Sequence, residues 1–127
     1  MENQEHSKKI VLVVEDNPEI LKLYEQAFTA AGFQTLIAHD GEEAFKLIQD
    51  KIPDCVILDI LMPKMDGIEV LSKMRNYELI KSIPVLVLTN YDSYNEQTRE
   101  LGATDYLIKA DVTLKDILER VQNIIKK

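Results

Sequence analysis

Long apolar runs, cysteine pairs and basic clusters are all missing from this chain of 127 residues. No stretch approaches the ~20 consecutive apolar residues that a helix needs to cross a bilayer. The start, MENQEHSKK, mixes acids, bases and polar groups and lacks the apolar stretch of a secretory signal. The one cysteine, Cys55, has no partner for an internal disulfide and sits in an apolar run, which points to a buried thiol and a cytoplasmic, reducing setting. His6 and His39, with that cysteine, offer no zinc or transition-metal spacing. There is no G-x-x-x-x-G-K-[ST] loop, so the site is not built around ATP. A formal charge of −7 leaves no basic face for nonspecific contact with nucleic acid or an anionic membrane. No repeat, linker or low-complexity tract follows residue 8. The length suits one domain with a real core, residues 9–127, behind a flexible start at residues 1–8.

What is present alternates. Short, almost continuous apolar runs at Ile10–Val14, Thr35–Ala38, Cys55–Leu58, Val85–Leu88 and Tyr106–Ile108 predict strands covered on both faces. Helical patterns lie between them. Asn17 and Pro18 offer an N-cap and a proline at the first helical position, and Gly32 a stop. Ile20, Leu21, Leu23, Tyr24, Ala27, Phe28 and Ala31 form that helix's expected buried stripe. Asp40 with Glu43, and Asp66 with Glu69, resemble capping boxes. A last helix starts near Thr113 and buries Leu114, Ile117, Leu118, Val121, Ile124 and Ile125. The segment 93–101, SYNEQTREL, is polar nearly all round and is expected to be the most mobile helix. Five β-α units in succession predict an α/β fold of three layers, a parallel sheet with right-handed crossovers and helices on both faces.

In such a fold the residues just after each strand share one edge of the sheet, where ligands bind. Four of the five runs end in chemically useful groups: Glu15 and Asp16, Asp59, Thr89, and Lys109. The second run ends in His39 and Asp40. Taken singly, an acid or threonine there is commonly an N-cap, and a lone lysine a solvated surface group. Asp59 is harder to dismiss, because a charge between Leu58 and Ile60 incurs desolvation. Three close carboxylates repel one another unless a cation intervenes. Oxygen ligands select a hard ion, and a few carboxylates plus waters suit Mg²⁺ better than Ca²⁺. A lysine and a threonine hydroxyl beside such a centre are equipment for phosphoryl oxygens. A carboxylate can itself be the nucleophile, giving an aspartyl phosphate.

The segments IVLVVEDN at 10–17, VILDILMPKMDG at 56–67, PVLVLT at 84–89 and GATDYLIKA at 102–110, in that order and spacing, resemble the receiver domain of bacterial two-component response regulators. The resemblance spans about residues 8 to 126. It implies a doubly wound, flavodoxin-like fold of five parallel strands in the order 2-1-3-4-5 with five helices. It further implies that Asp59 accepts a phosphoryl group from the phosphohistidine of a histidine kinase or phosphotransfer protein. Asp16 and Asp59 would then bind Mg²⁺ with the backbone carbonyl of Leu61, Glu15 acting largely through water. Thr89 and Lys109 would hold the phosphoryl oxygens, and Tyr106 would follow Thr89 as the switch aromatic. A downstream protein, or a second copy after phosphorylation, would dock on the 93–125 face. The chain ends straight after its last helix, so a stand-alone module acting through a partner is expected.

Several residues depart from the family pattern. Ala110 follows Lys109 where proline is usual; a cis bond to alanine would cost ~3 kcal/mol, so a trans path with a slightly displaced Lys109 is expected. Asn90 replaces a small residue. Leu61 and Tyr91 stand where the family flanks the attacking water, which predicts slow self-dephosphorylation. Two other readings stay open: a pseudo-receiver that docks without cycling phosphate, and a magnesium phosphohydrolase. Leu61 counts against the second, since such enzymes place a further acid two residues after the nucleophile.

Overall fold

A computed structural model describes residues 8–126. Strands β1 (Ile10–Val14), β2 (Gln34–Ala38), β3 (Cys55–Leu58), β4 (Val85–Thr89) and β5 (Asp105–Ile108) alternate with helices α1 (Pro18–Ala30), α2 (Gly41–Lys51), α3 (Gly67–Met74), α4 (Asn95–Glu100) and α5 (Leu114–Lys126). All neighbouring strands are parallel, in the order β2-β1-β3-β4-β5. The doubly wound α/β fold read from the sequence is therefore present. The flexible start expected at residues 1–8 falls, but for Lys8, outside the described residues.

The continuous apolar runs follow from having two cores. On one face of the sheet Leu12, Val14, Val56, Leu58, Val85 and Val87 meet Ala44, Ile48, Val70, Leu71 and Met74 of α2 and α3. On the other, Val11, Val13, Ile57, Leu86 and Leu88 meet Leu21 and Phe28 of α1 and Ile117 and Val121 of α5. Successive strand residues point to opposite faces, so only an uninterrupted apolar run fills both. Cys55 is fully buried in the second core, and burial raises its thiol pKa to about 12, leaving it protonated and inert.

Caps fix where the helices begin. Asn17 Oδ1 accepts from the Glu19 and Ile20 amides at 3.0 and 3.1 Å. Asp40 and Asp66 accept from the amides three residues on, at 2.8 and 2.9 Å. The Glu43 carboxylate reaches back to the His39 amide, one residue before the cap. A fully reciprocal box opens α5: Thr113 Oγ1 accepts from the Asp116 amide, and Asp116 Oδ2 from the Thr113 amide.

Three strands are one residue longer than the apolar pattern predicts, because backbone pairing continues past it: Gln34 opposite Ile10, Thr89 opposite Ile108, and Asp105 opposite Leu86. Leu23 of α1 and Ala31, its C-cap, are exposed rather than buried, which narrows the stripe. Helix α4 is short, and Tyr94 before it makes no side-chain cap. Its anchor is Thr98, fully buried, whose hydroxyl donates to the Tyr94 and Asn95 carbonyls at 2.9 and 3.1 Å. Arg75, at the end of α3, secures the far end of α4 by donating to the Leu101 and Gly102 carbonyls at 2.6 and 3.1 Å. Among the described residues, no helix is long and apolar enough to cross a membrane.

Candidate functional site

The parallel sheet delivers Glu15, Asp16, Asp59, Thr89 and Lys109 to a single edge. The register does this directly: Val14 pairs with Leu58, and Thr89 with Ile108. The residue after each of Val14, Leu58 and Ile108 is a site residue, and Thr89 itself closes β4. The Glu15 amide bonds the Ala38 carbonyl at 3.1 Å and the Asp59 amide the Val14 carbonyl at 3.3 Å, so both acids leave the sheet with their backbones still paired.

Carboxylate oxygens of Glu15, Asp16 and Asp59 all lie within 4.8 Å of one another. Lys109 reaches into this group, its Nζ donating to Glu15 Oε1 at 2.7 Å and to Asp59 Oδ2 at 3.0 Å. The remaining oxygens of these two acids are also occupied. Asp59 Oδ1 accepts from the Ile60 amide at 2.7 Å, and Glu15 Oε2 from the Asn17 amide at 3.1 Å. Glu15 and Asp59 are 3% and 7% exposed, whereas Asp16 faces solvent. The donor set is all oxygen and more negative than one lysine offsets, which fits a hard dication. The Thr89 hydroxyl is buried with no hydrogen-bond partner among the described residues. A buried hydroxyl left unpaired costs free energy, so this one is available to an incoming acceptor.

The turn after Asp59 depends on a residue without a side chain. The Gly67 amide bonds the Ile60 carbonyl at 2.7 Å, and a Cβ at Gly67 would stand 2.3 Å from the Asp59 carbonyl oxygen. Leu61 and Tyr91, two residues past Asp59 and Thr89, are 44% and 51% exposed at the rim. The Tyr106 hydroxyl donates to the Tyr91 carbonyl, tying β5 to the β4–α4 loop. The described residues contain no cis peptide, so Lys109–Ala110 runs trans as expected, and Lys109 still contacts both acids. Tyr24 was legible only as part of the α1 stripe. It is half-buried, and its phenol feels the charges of Lys109, Glu15 and Asp59.

Burial raises the Asp59 carboxyl pKa; Lys109 opposes the shift and Glu15 reinforces it. Burial pulls the Lys109 ammonium the other way, but its bonds to Glu15 and Asp59 outweigh burial and raise its pKa, so it stays charged. The folded state therefore favours neutral Asp59, and ionising it costs stability as pH rises through its folded pKa. Below the ordinary carboxylate value of 3.8 that cost is absent. In magnesium-free buffer, Asp59→Asn is expected to melt above the parent at neutral pH, with the gap closing on acidification. Equal melting at neutral pH, or a gap that widens in acid, would contradict this electrostatic account.

Comparison with known proteins places this geometry. A family model described as the response regulator receiver domain matches residues 11–122. The alkaline phosphatase synthesis transcriptional regulatory protein PhoP of Bacillus subtilis is 36% identical over 121 residues, 94% of this chain and 49% of PhoP. This chain thus spans about half the length of the curated relatives it matches. The chemotaxis response regulator CheY4 of Vibrio cholerae superposes with a TM-score of 0.84 at 30% identity, over 93% of this chain and 99% of CheY4. The response regulator TrrA of Thermotoga maritima, solved in complex with Mg(2+)-BeF, gives 0.81 at 32% identity, over 91% and 98% of the two chains. With sheet order, acid cluster and family match in agreement, the chain belongs to the response regulator receiver domain family of two-component systems.

Proposed function

We propose that residues 9–127 form a phosphoacceptor module in which Asp59 takes a phosphoryl group from the phosphohistidine of a histidine kinase or phosphotransfer protein. The observation that carries this reading is the contact of Lys109 with a buried Asp59, beside an unpartnered Thr89 hydroxyl. An Asp59 oxygen forms the new bond to phosphorus as the donor's N–P bond breaks. The electron pair returns to the imidazole, which regains its proton from solvent. Asp16, Asp59 and the Leu61 carbonyl would hold Mg²⁺, with Glu15 acting largely through water, and the bound ion would neutralise charge on the phosphoryl oxygens. Lys109 supplies a second positive charge at the same place. Thr89 donates its free hydroxyl to a phosphoryl oxygen, which draws the end of β4 toward Asp59. Tyr106, bonded to the carbonyl two residues past Thr89, registers that movement on the face formed by α4, β5 and α5.

The module is not a turnover enzyme on this reading; it assists its own phosphorylation and dephosphorylation and passes the signal by protein contact. Its cytoplasmic partners are the phosphodonor and a downstream protein on the 93–125 face, or a second phosphorylated copy. The acidic balance supports a module that touches neither nucleic acid nor membrane itself. TrrA, a relative of similar fold, was solved in complex with Mg(2+)-BeF, which supports magnesium as the ion. The reach of Lys109 despite Ala110 counts against a docking-only module.

Incubation with acetyl phosphate and Mg²⁺ is expected to add one phosphoryl mass, which does not appear when the metal is chelated beforehand or in Asp59→Asn. No gain in the parent would return the docking-only alternative, and rapid multiple turnover the hydrolase. Exposed Leu61 and Tyr91 set an apolar and an aromatic side chain at the two positions that flank the attacking water, and so shield the acyl phosphate. Leu61→Asn and Tyr91→Glu are accordingly expected to shorten the lifetime of the phosphorylated form several-fold. A parent that decays as fast as both variants would remove this assignment.

A further inference from the structure

The loop between β3 and α3 has little to hold it in place. From Leu61 to Met65 the backbone makes one hydrogen bond among the described residues, Met65 amide to Pro63 carbonyl at 2.8 Å, wholly inside the loop. Lys64 is in the left-handed region, with φ of 70°, a conformation that costs a side-chain-bearing residue energy. Something outside the loop must impose this shape. Gly41, the buried first residue of α2, lies directly against it. A Cβ at Gly41 would fall 1.8 Å from the Met65 carbonyl oxygen and 2.6 Å from its carbon. Helix and loop therefore meet backbone to backbone. Lys64 Nζ adds a loose pair with Asp40 Oδ2 at 3.8 Å on the same helix end. The Met62 and Met65 side chains rest on the core beneath.

We propose that Gly41 is a positioning residue for the Asp59 site: its missing side chain lets α2 brace the β3–α3 loop at Met65, and that brace sets where the Leu61 carbonyl stands. The inference rests on the reading above, in which that carbonyl is a magnesium ligand. Magnesium tolerates little departure from octahedral geometry, so a displaced carbonyl weakens binding. Asp59, Thr89 and Lys109 come from the ends of β3, β4 and β5, not from the loop. A loosened brace therefore lowers magnesium affinity and leaves the transfer step intact once the ion is bound.

Calorimetric titration of the chain with MgCl₂, beside the acetyl phosphate rate at increasing Mg²⁺, tests this. Gly41→Ala is expected to raise the magnesium dissociation constant about tenfold, the low end of what altered outer-shell partners cost. Its rate at saturating Mg²⁺ is expected to equal the parent's, a split that a general loss of stability would not produce. A thermal melt establishes that the variant is folded. If Gly41→Ala does not fold, Lys64→Val decides, because a β-branched residue resists a φ of 70° and shifts the exposed loop without a clash against α2; a several-fold rise in dissociation constant is expected. A folded Gly41→Ala with the parent's dissociation constant, or a rate loss that no magnesium restores, overturns the proposal, as does an unchanged constant in Lys64→Val. A parent that binds no magnesium overturns the metal assignment beneath it, so the two failures are distinct.

Discussion

Everything at this site turns on one ammonium shared between two buried carboxylates. Lys109 contacts Glu15 and Asp59 together, and without it two acids at the mouth of the sheet would face each other and Asp16 unneutralised. Buried charges persist only where partners repay their desolvation. The repayment here is incomplete by design of the residue set: three carboxylates share one lysine, and Asp59 keeps a raised pKa. That residual negative charge makes the apo site costly and predisposes it to a dication. On the proposed reading, an incoming phosphoryl group would meet Lys109 already charged and a Thr89 hydroxyl that has no partner among the described residues.

The fold supplies this arrangement cheaply. Parallel strands in register place the residues after them at one edge, so no long-range feature beyond the sheet itself is needed to gather the acids and the lysine. Keeping them in place falls to backbone close approaches, at Gly67 against Asp59 and at Gly41 against Met65. Around α4 the bonding is thinner. Helix α4 is uncapped by any side chain at its start, gripped by Arg75 at its end, and anchored between by Thr98. Few buried apolar contacts make an element easy to move. The end nearer Thr89 and Tyr106 is the end with the weaker hold.

Much of this was legible in the sequence, for identifiable reasons. Runs that fill two cores are continuous in hydrophobicity, so the strands announced themselves, and the residues following them could be named before their distances were known. Asp59 stood out because a carboxylate directly after Leu58 has no reason to be there unless it is used. What stayed hidden depends on backbone geometry and three-dimensional proximity. Nothing in the pattern distinguishes Gly41 as a contact residue from Gly41 as an ordinary turn glycine. Thr98 reads as polar, yet its hydroxyl bonds its own helix and its body is buried. Leu23 reads as core, yet the stripe is too narrow to cover it. Tyr24 gave no hint that its phenol would lie in the field of the acids and Lys109.

On the proposed reading the buried, lysine-paired carboxylate of Asp59 accepts phosphate, rather than its more exposed neighbour Asp16. Borohydride reduction of the phosphorylated chain, followed by peptide mass mapping, tests it most directly, since reduction turns an aspartyl phosphate into homoserine. The account predicts homoserine at position 59 alone. Reduction at Asp16 or Glu15, or at no acid in a chain that carries the added phosphoryl mass, would contradict it.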